Sequence, residues 1–141
     1  MSGKIDISQL KHPPHKHELD TAKFFAERGY DIVFIPPSNI PGVHKPDIIM
    51  AGKEWEIKSP TGKGRNMISR ILKVAAKQSK NVIVDLRNIK TDEKTCLSQI
   101  EKRVDEHTTI KRVLVIKKNE ELLEYSTKGI KLLIDTKVSR K

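Results

Sequence analysis

The sequence predicts an α/β domain built on one mixed β-sheet flanked by helices. Three observations carry that reading. Segments of helical spacing alternate with short β-branched runs, in the order helix, three strands, helix, strand, helix, strand. Two of those runs, 46–51 and 53–58, meet so tightly around Gly52 that they read as a hairpin. Another, NVIVDL at 81–86, is almost continuously apolar, as a strand covered on both faces is.

Taken in order, residues 1–16 contain Pro13-Pro14 and no sustained period, so they read as an N-terminal arm, with a single domain over 17–141. HELDTAKFFAERG, beginning at His17, is a helix closed by Gly29, and YDIVFI (30–35) is a strand. PPSNIPGVHK (36–45) is a loop. PDIIMA and KEWEIK form the hairpin; SPTGKGR (59–65) is a loop that leads into a helix over 66–80. After the apolar strand, 91–107 places Cys96, Leu97, Ile100 and Val104 at helical spacing. RVLVIKK (112–118) is a further strand, and NEELLEYS with GIKLLID adds a hairpin or an edge strand.

The composition narrows the class of partner. In 141 residues, 28 Lys and Arg face 18 Asp and Glu, a net charge of +10 on about one domain. Such a field attracts polyanions, nucleic acid first and acidic membrane surfaces second. No stretch approaches the ~20 apolar residues of a membrane span, and the N-terminus lacks a signal peptide's apolar core, so a soluble domain is expected. Cys96 is the lone cysteine, which excludes an internal disulfide and a multi-cysteine zinc site. Aromatic residues make up 4%, too few for a base-stacking platform. The loop glycines 62 and 64 lack the spacing of a nucleotide P-loop, so ATP binding is unsupported.

Side-chain alternation on KEWEIK puts Glu54, Glu56 and Lys58 on one side and Trp55 and Ile57 on the other. One strand earlier, Asp47 shares its side with Ile49 and Ala51, and the hairpin can bring Asp47 across from Glu56. Two carboxylates at one spot repel unless a cation joins them, and hard oxygen donors suit Mg²⁺ or Mn²⁺. With Lys58 beside them they meet the needs of phosphodiester hydrolysis: an activated water and charge relief on phosphoryl oxygens. The plainer alternative is a charged, solvated strand face.

A third carboxylate follows from helical geometry. At about 100° per residue, Glu18 falls on the stripe of Ala22, Ala26 and Phe25, so it aims at the sheet or snorkels out as a first-turn glutamate. Gln78 falls beside Ile71 and Val74, as a substrate-orienting group or a core-edge amide. Lys63, Arg65, Arg70, Lys73, Lys77 and Lys80 are six basic residues between Ser59 and Val84 with no acid among them. They form a track for backbone phosphates or a solvated face without i,i+4 partners.

The pattern Glu18, Pro46-Asp47 and Glu56-Ile57-Lys58 resembles the PD-(D/E)XK nuclease superfamily, with its restriction-endonuclease-like core. The longer run HELDTAKFFAERGYDI, PDIIMAGKEWEIKSPTGKG and VAAKQSKNVIVDL resembles the C-terminal tRNA nuclease domain of CdiA-type contact-dependent growth inhibition toxins, over about residues 16–88. The resemblance implies a metal-dependent nuclease: Asp47, Glu56 and the Ile57 backbone carbonyl hold Mg²⁺ or Mn²⁺, Lys58 serves the attacking water and Glu18 assists. His17, Ser59, Thr61 and Gln78 match positions near such a site. It also implies delivery by a secreted carrier, action in the cytoplasm on nucleic acid (tRNA favoured, DNA possible) and a cognate immunity protein. Two other readings stand beside it: a DNA endonuclease of the Holliday-junction resolvase type and a non-catalytic nucleic-acid-binding module. The oligomeric state is undetermined, and the basic excess from Lys111 to Lys141 has no role in this scheme.

Overall fold

A computed structural model describes residues 2–105 and 109–133. The end of the domain expected at 141, and the last residues of 91–107 and of GIKLLID, lie outside the described residues. Among the described residues, eight strands form one mixed sheet in which every strand lies beside its neighbour in sequence. They are β1 (Ile5–Asp6), β2 (Ile32–Phe34), β3 (Ile48–Met50), β4 (Lys53–Lys58), β5 (Asn81–Asp85), β6 (Arg112–Ile116), β7 (Leu122–Ser126) and β8 (Gly129–Leu132). Helices α1 (Lys16–Glu27), α2 (Met67–Ala75) and α3 (Glu93–Asp105) bridge the parallel pairs β1/β2, β4/β5 and β5/β6. All other neighbours are antiparallel.

The alternation of strand side chains splits the core between two faces. On one face Ala22, Phe24, Phe25 and Ala26 of α1 pack on Ile32, Phe34, Ile48, Met50, Trp55, Ile57 and Ile83. On the other, Ile68, Leu72 and Ala75 of α2 and Cys96, Ile100 and Val104 of α3 pack on Val82, Val84, Val113 and Val115. β5 thus buries both faces, which is why it reads as an apolar run. The β3–β4 turn has two central residues, Ala51 (φ 54°) and Gly52 (φ 73°), between the paired Met50 and Lys53. Two positive φ angles are the signature of a type I′ hairpin turn.

The structure corrects three boundaries. The arm expected over 1–16 contains β1, and α1 begins at Lys16. Aperiodic residues form a strand here because their backbone is claimed from outside: Gly3 N–H donates to Ala26 O, Lys4 N–H to Asp31 Oδ1, and Ile32 N–H to Lys4 O. Gly3 is required for that approach, since a Cβ there would lie 1.9 Å from Tyr30 O. The helix expected over 66–80 stops at Ala75, so Lys77, Gln78 and Lys80 lie in the turn that follows. Ser79 Oγ and Asn81 Nδ2 both donate to Glu54 O, drawing the chain onto the β4 edge before another helical turn forms. Val74 is accordingly exposed, not inward. Among the described residues no helix is long and apolar enough to cross a membrane.

Candidate active site

The hairpin register pairs Ile48 with Trp55, so the preceding residue, Asp47, stands across from Glu56. Asp47 is held at three points. Its N–H donates to Trp55 O at 2.9 Å, its C=O accepts from Ile35 N–H at 2.9 Å, and its Oδ2 accepts from Ile57 N–H at 2.8 Å. Pro46 suits this entry because its predecessor-restricting ring keeps the chain extended, and Trp55 fixes the turn by donating from Nε1 to Met50 O at 2.8 Å. Glu56 is 4% exposed, on the face opposite Trp55 and Ile57. Lys58 Nζ lies 3.2 Å from Glu56 Oε2, while Glu56 Oε1 is buried with no hydrogen-bond partner.

The electrostatics follow from two acids sharing a buried corner. Burial first, then the neighbouring Asp47, push the Glu56 carboxyl from 4.5 up to about 7, against the pull of Lys58. Burial also raises Asp47, opposed by the Ile57 N–H and by Lys58. The pair is therefore disposed to share a proton near neutrality, and a divalent cation would replace that proton. Glu18 approaches from the first turn of α1; burial and the charge of Asp47 raise its carboxyl, and His15, His17 and the His15 backbone N–H oppose the rise. Glu18 is half-buried, so the helical-wheel placement and the snorkelling alternative each describe part of its position.

The other expected site residues are spread around this corner. His17 is exposed and stacked on His15 at 5.7 Å. Ser59 Oγ is 3.4 Å from Thr21 Oγ1, and Thr61 is exposed in the loop. Gln78 is half-buried, and its buried side-chain Oε1 has no hydrogen-bond partner, so it is not the core-edge amide satisfied by backbone at that oxygen. Lys63 and Arg65 are exposed in a loop pinned by Lys90 N–H to Gly62 O (3.2 Å) and by Gln99 to Arg65 O. Arg70 joins Lys58, Met67, Ile71 and Val74 around a shallow cleft of about 290 Å³. Lys73 on α2, and Lys77 and Lys80 in the turn after it, are exposed as well.

Sequence reasoning passed over one buried network beside these groups. Thr21 Oγ1 donates to Asp85 Oδ2 at 2.7 Å, and Arg87 reaches both Asp85 oxygens at 2.9 and 2.7 Å. Arg87 also donates to Asp20 O at 3.2 Å and lies over the Phe24 ring. Thr21 is fully buried and Asp85 is 4% exposed. The available signal was an aspartate closing the apolar run NVIVD, with an arginine two residues later and Thr21 three residues beyond Glu18. This network locks α1, and with it Glu18, to the end of β5.

As to a metal, among the described residues no group of three or more His, Cys, Asp or Glu side chains gathers to hold one. The donors available are two carboxylates and the neighbouring backbone, a sparse hard-oxygen set of the kind Mg²⁺ accepts because it keeps several waters. The orphaned Glu56 Oε1 and the raised pKa values of the pair, which a cation between them would relieve, fit such an ion.

The family model for the contact-dependent growth inhibition CdiA C-terminal domain matches residues 44–122, more than half of the chain. The chain belongs to this family. The CdiA C-terminal match contains Asp47, Glu56 and Lys58, begins after Glu18, and runs well past residue 88, where the likeness seen in the sequence ends. A chain of the CdiA-CT/CdiI toxin and immunity complex from Burkholderia pseudomallei shares the fold, with a TM-score of 0.65 at 21% identity. The alignment covers 88% of this CdiA C-terminal domain and 99% of that chain. No curated protein matches.

Proposed function

We propose that this CdiA C-terminal domain is a metal-dependent nuclease with a PD-(D/E)XK-type core, acting as a toxin on tRNA. The observation that carries the reading is buried Glu56 facing half-buried Asp47 beside Lys58, with one carboxylate oxygen unpartnered. A module that only bound nucleic acid would gain nothing from converging carboxylates that repel phosphate. Asp47, Glu56 and the Ile57 carbonyl would hold Mg²⁺ or Mn²⁺. When bound, the ion supplies charge relief at the phosphoryl oxygens and activation of water.

The chain's own residues do the rest. The Lys58 ammonium, half-buried and 3.2 Å from Glu56, orients the attacking water and offsets charge on the phosphate. Glu18, whose carboxyl is held above its ordinary range, takes the proton that the water loses as it attacks phosphorus and the P–O bond breaks. Arg70, beside Lys58 on the cleft, and Lys63, Arg65, Lys73, Lys77 and Lys80 hold the flanking phosphates. The Burkholderia pseudomallei structure is a toxin and immunity complex, which supports a cognate immunity protein for this domain too. Delivery by a secreted carrier to the cytoplasm, where tRNA is found, completes the proposal.

The test is to incubate the protein with total tRNA, supercoiled plasmid and a four-way junction, in Mg²⁺ or Mn²⁺ and again in EDTA. Cutting of tRNA that stops in EDTA is the expected result. Cutting confined to plasmid or junction would replace tRNA by DNA, and binding without any cutting would leave a binding module. Glu56→Ala and Lys58→Ala should each lower the rate by roughly 100-fold or more while binding and circular dichroism persist. Full activity in either variant overturns the site.

A further inference from the structure

At the end of the sheet opposite Lys58 and Asp85, a second cleft of about 710 Å³ opens between the start of β6 and the β7–β8 turn. Its lining includes Lys111, Arg112, Glu124, Lys128, Ile130 and Lys131. Lys111, Lys128 and Lys131 are exposed, and among the described residues none of them is in an ion pair. Arg112 donates to Asn81 Oδ1 at 3.0 Å and lies 3.9 Å from Glu124, so the cleft's one acid is matched. Three positive charges therefore face the opening uncompensated. They belong to the basic excess after residue 110 that the nuclease site leaves unused.

The cleft adjoins the track already described. Lys80, its last member, accepts through its backbone carbonyl from both Lys111 N–H (2.6 Å) and Arg112 N–H (3.3 Å). Basic residues thus run from Arg70 beside Lys58, past Lys73, Lys77 and Lys80, into the second cleft. The four residue steps of β5 from Asn81 to Asp85 separate the two ends by about 13 Å, at roughly 3.3 Å per residue. At one phosphate per ~3.4 Å of duplex axis on each strand, that distance spans about four phosphates.

We propose that this cleft is a second docking surface for nucleic-acid backbone, engaging phosphates about four or more nucleotides from the bond that is cut. The choice of nucleic acid as occupant rests on the nuclease reading and on continuity with the track. The lining also lacks the aromatic anchors and apolar centre of a protein interface: its lone exposed large apolar residue is Ile130. A substrate that engages both ends must span about four phosphates, so the surface favours longer nucleic acid over fragments of one or two nucleotides.

The experiment measures binding of fluorescently labelled tRNA in EDTA, so that nothing is cut, over a range of salt concentrations. Lys128→Gln combined with Lys131→Gln should lower the slope of log affinity against log salt by roughly 1.4 to 1.8, the loss of two phosphate contacts. At about 0.15 M salt that corresponds to roughly ten- to thirtyfold weaker binding. Lys128→Arg with Lys131→Arg should restore both, and circular dichroism should be unchanged throughout. Binding of a two-nucleotide fragment, too short to cross the roughly 13 Å between the ends, should not respond. An unchanged affinity and slope for tRNA overturns the proposal, as does a pair of variants that lose only polyglutamate binding, which would mark an acidic protein as the occupant. If the wild type cuts nothing while the double variant still loses tRNA affinity, the docking surface stands and the nuclease reading falls. If the wild type cuts tRNA and the double variant binds it normally, the docking surface alone falls.

Discussion

Replacing Glu56 by Gln tests the carboxylate pair without any substrate. In the folded chain Glu56 gives up its proton at about 7, against 4.5 for the free side chain. At about 1.36 kcal/mol per pH unit, that gap is worth roughly 3 kcal/mol. Its sign follows from proton counting: between pH 4.5 and 7 the folded state holds a proton that the unfolded state has lost. The associated stability is complete below 4.5 and disappears as pH rises through 7, and Asp47 and Glu18, also raised, add in the same sense. Glu56→Gln keeps the shape, removes the titration and frees Asp47 of its acidic neighbour. Urea unfolding at pH 5, 6, 7 and 8 should show the wild type losing stability steeply and the variant losing much less, the remainder coming from Asp47 and Glu18. The variant should be the more stable protein at pH 8. Mg²⁺ should raise the wild-type midpoint more at pH 8 than at pH 5, and should leave the variant's midpoint less affected. Parallel pH profiles for the two proteins would refute the shared-proton description of the pair.

Other consequences are more local. Ala51→Asn gives the turn an Asn-Gly pair suited to two positive φ angles and should add about 0.5–1 kcal/mol by chemical denaturation. Gly52→Val should cost about 1–3 kcal/mol and reduce any nuclease activity with it, because the turn sets Asp47 opposite Glu56. Asp85→Ala should cost about 3–5 kcal/mol in urea unfolding, since it strips Arg87 and Thr21 of their buried partner. Burial pushes the Cys96 thiol up, so it should resist a thiol reagent until the protein unfolds; rapid labelling of the native chain would contradict its place between α3 and the sheet.

The parts of this molecule that were legible in advance are those where one short pattern decides the outcome. KEWEIK keeps its limits as β4 because alternation, a two-residue turn and a buried tryptophan all agree. Asp47 opposite Glu56 follows from the same hairpin. The parts that were not legible depend on residues far away in sequence. β1 exists because Ala26, Asp31 and Ile32 supply its hydrogen bonds, and nothing within 1–16 announces them. α2 ends early because Glu54 captures Ser79 and Asn81. The Thr21–Asp85–Arg87 network joins positions 64 residues apart, and a lone aspartate at a strand end does not disclose a threonine partner. Glu18 lies between these cases: its helical face is readable, and its closeness to Asp47 is a matter of tertiary packing.

The order of the strands bears on how the chain comes apart. Because β1 through β8 lie side by side in sequence order, the first and last of the described strands are both edge strands. A pull on one end need never extract a strand from between two that remain. Unravelling can proceed as peeling, one ladder at a time, with no threading. Reassembly can follow the same route backwards, each strand docking on the one before it, and short closure distances favour speed. The two-residue β1, tied to β2 by a small parallel ladder, is the weakest grip and the natural place for peeling from the N-terminal side to start.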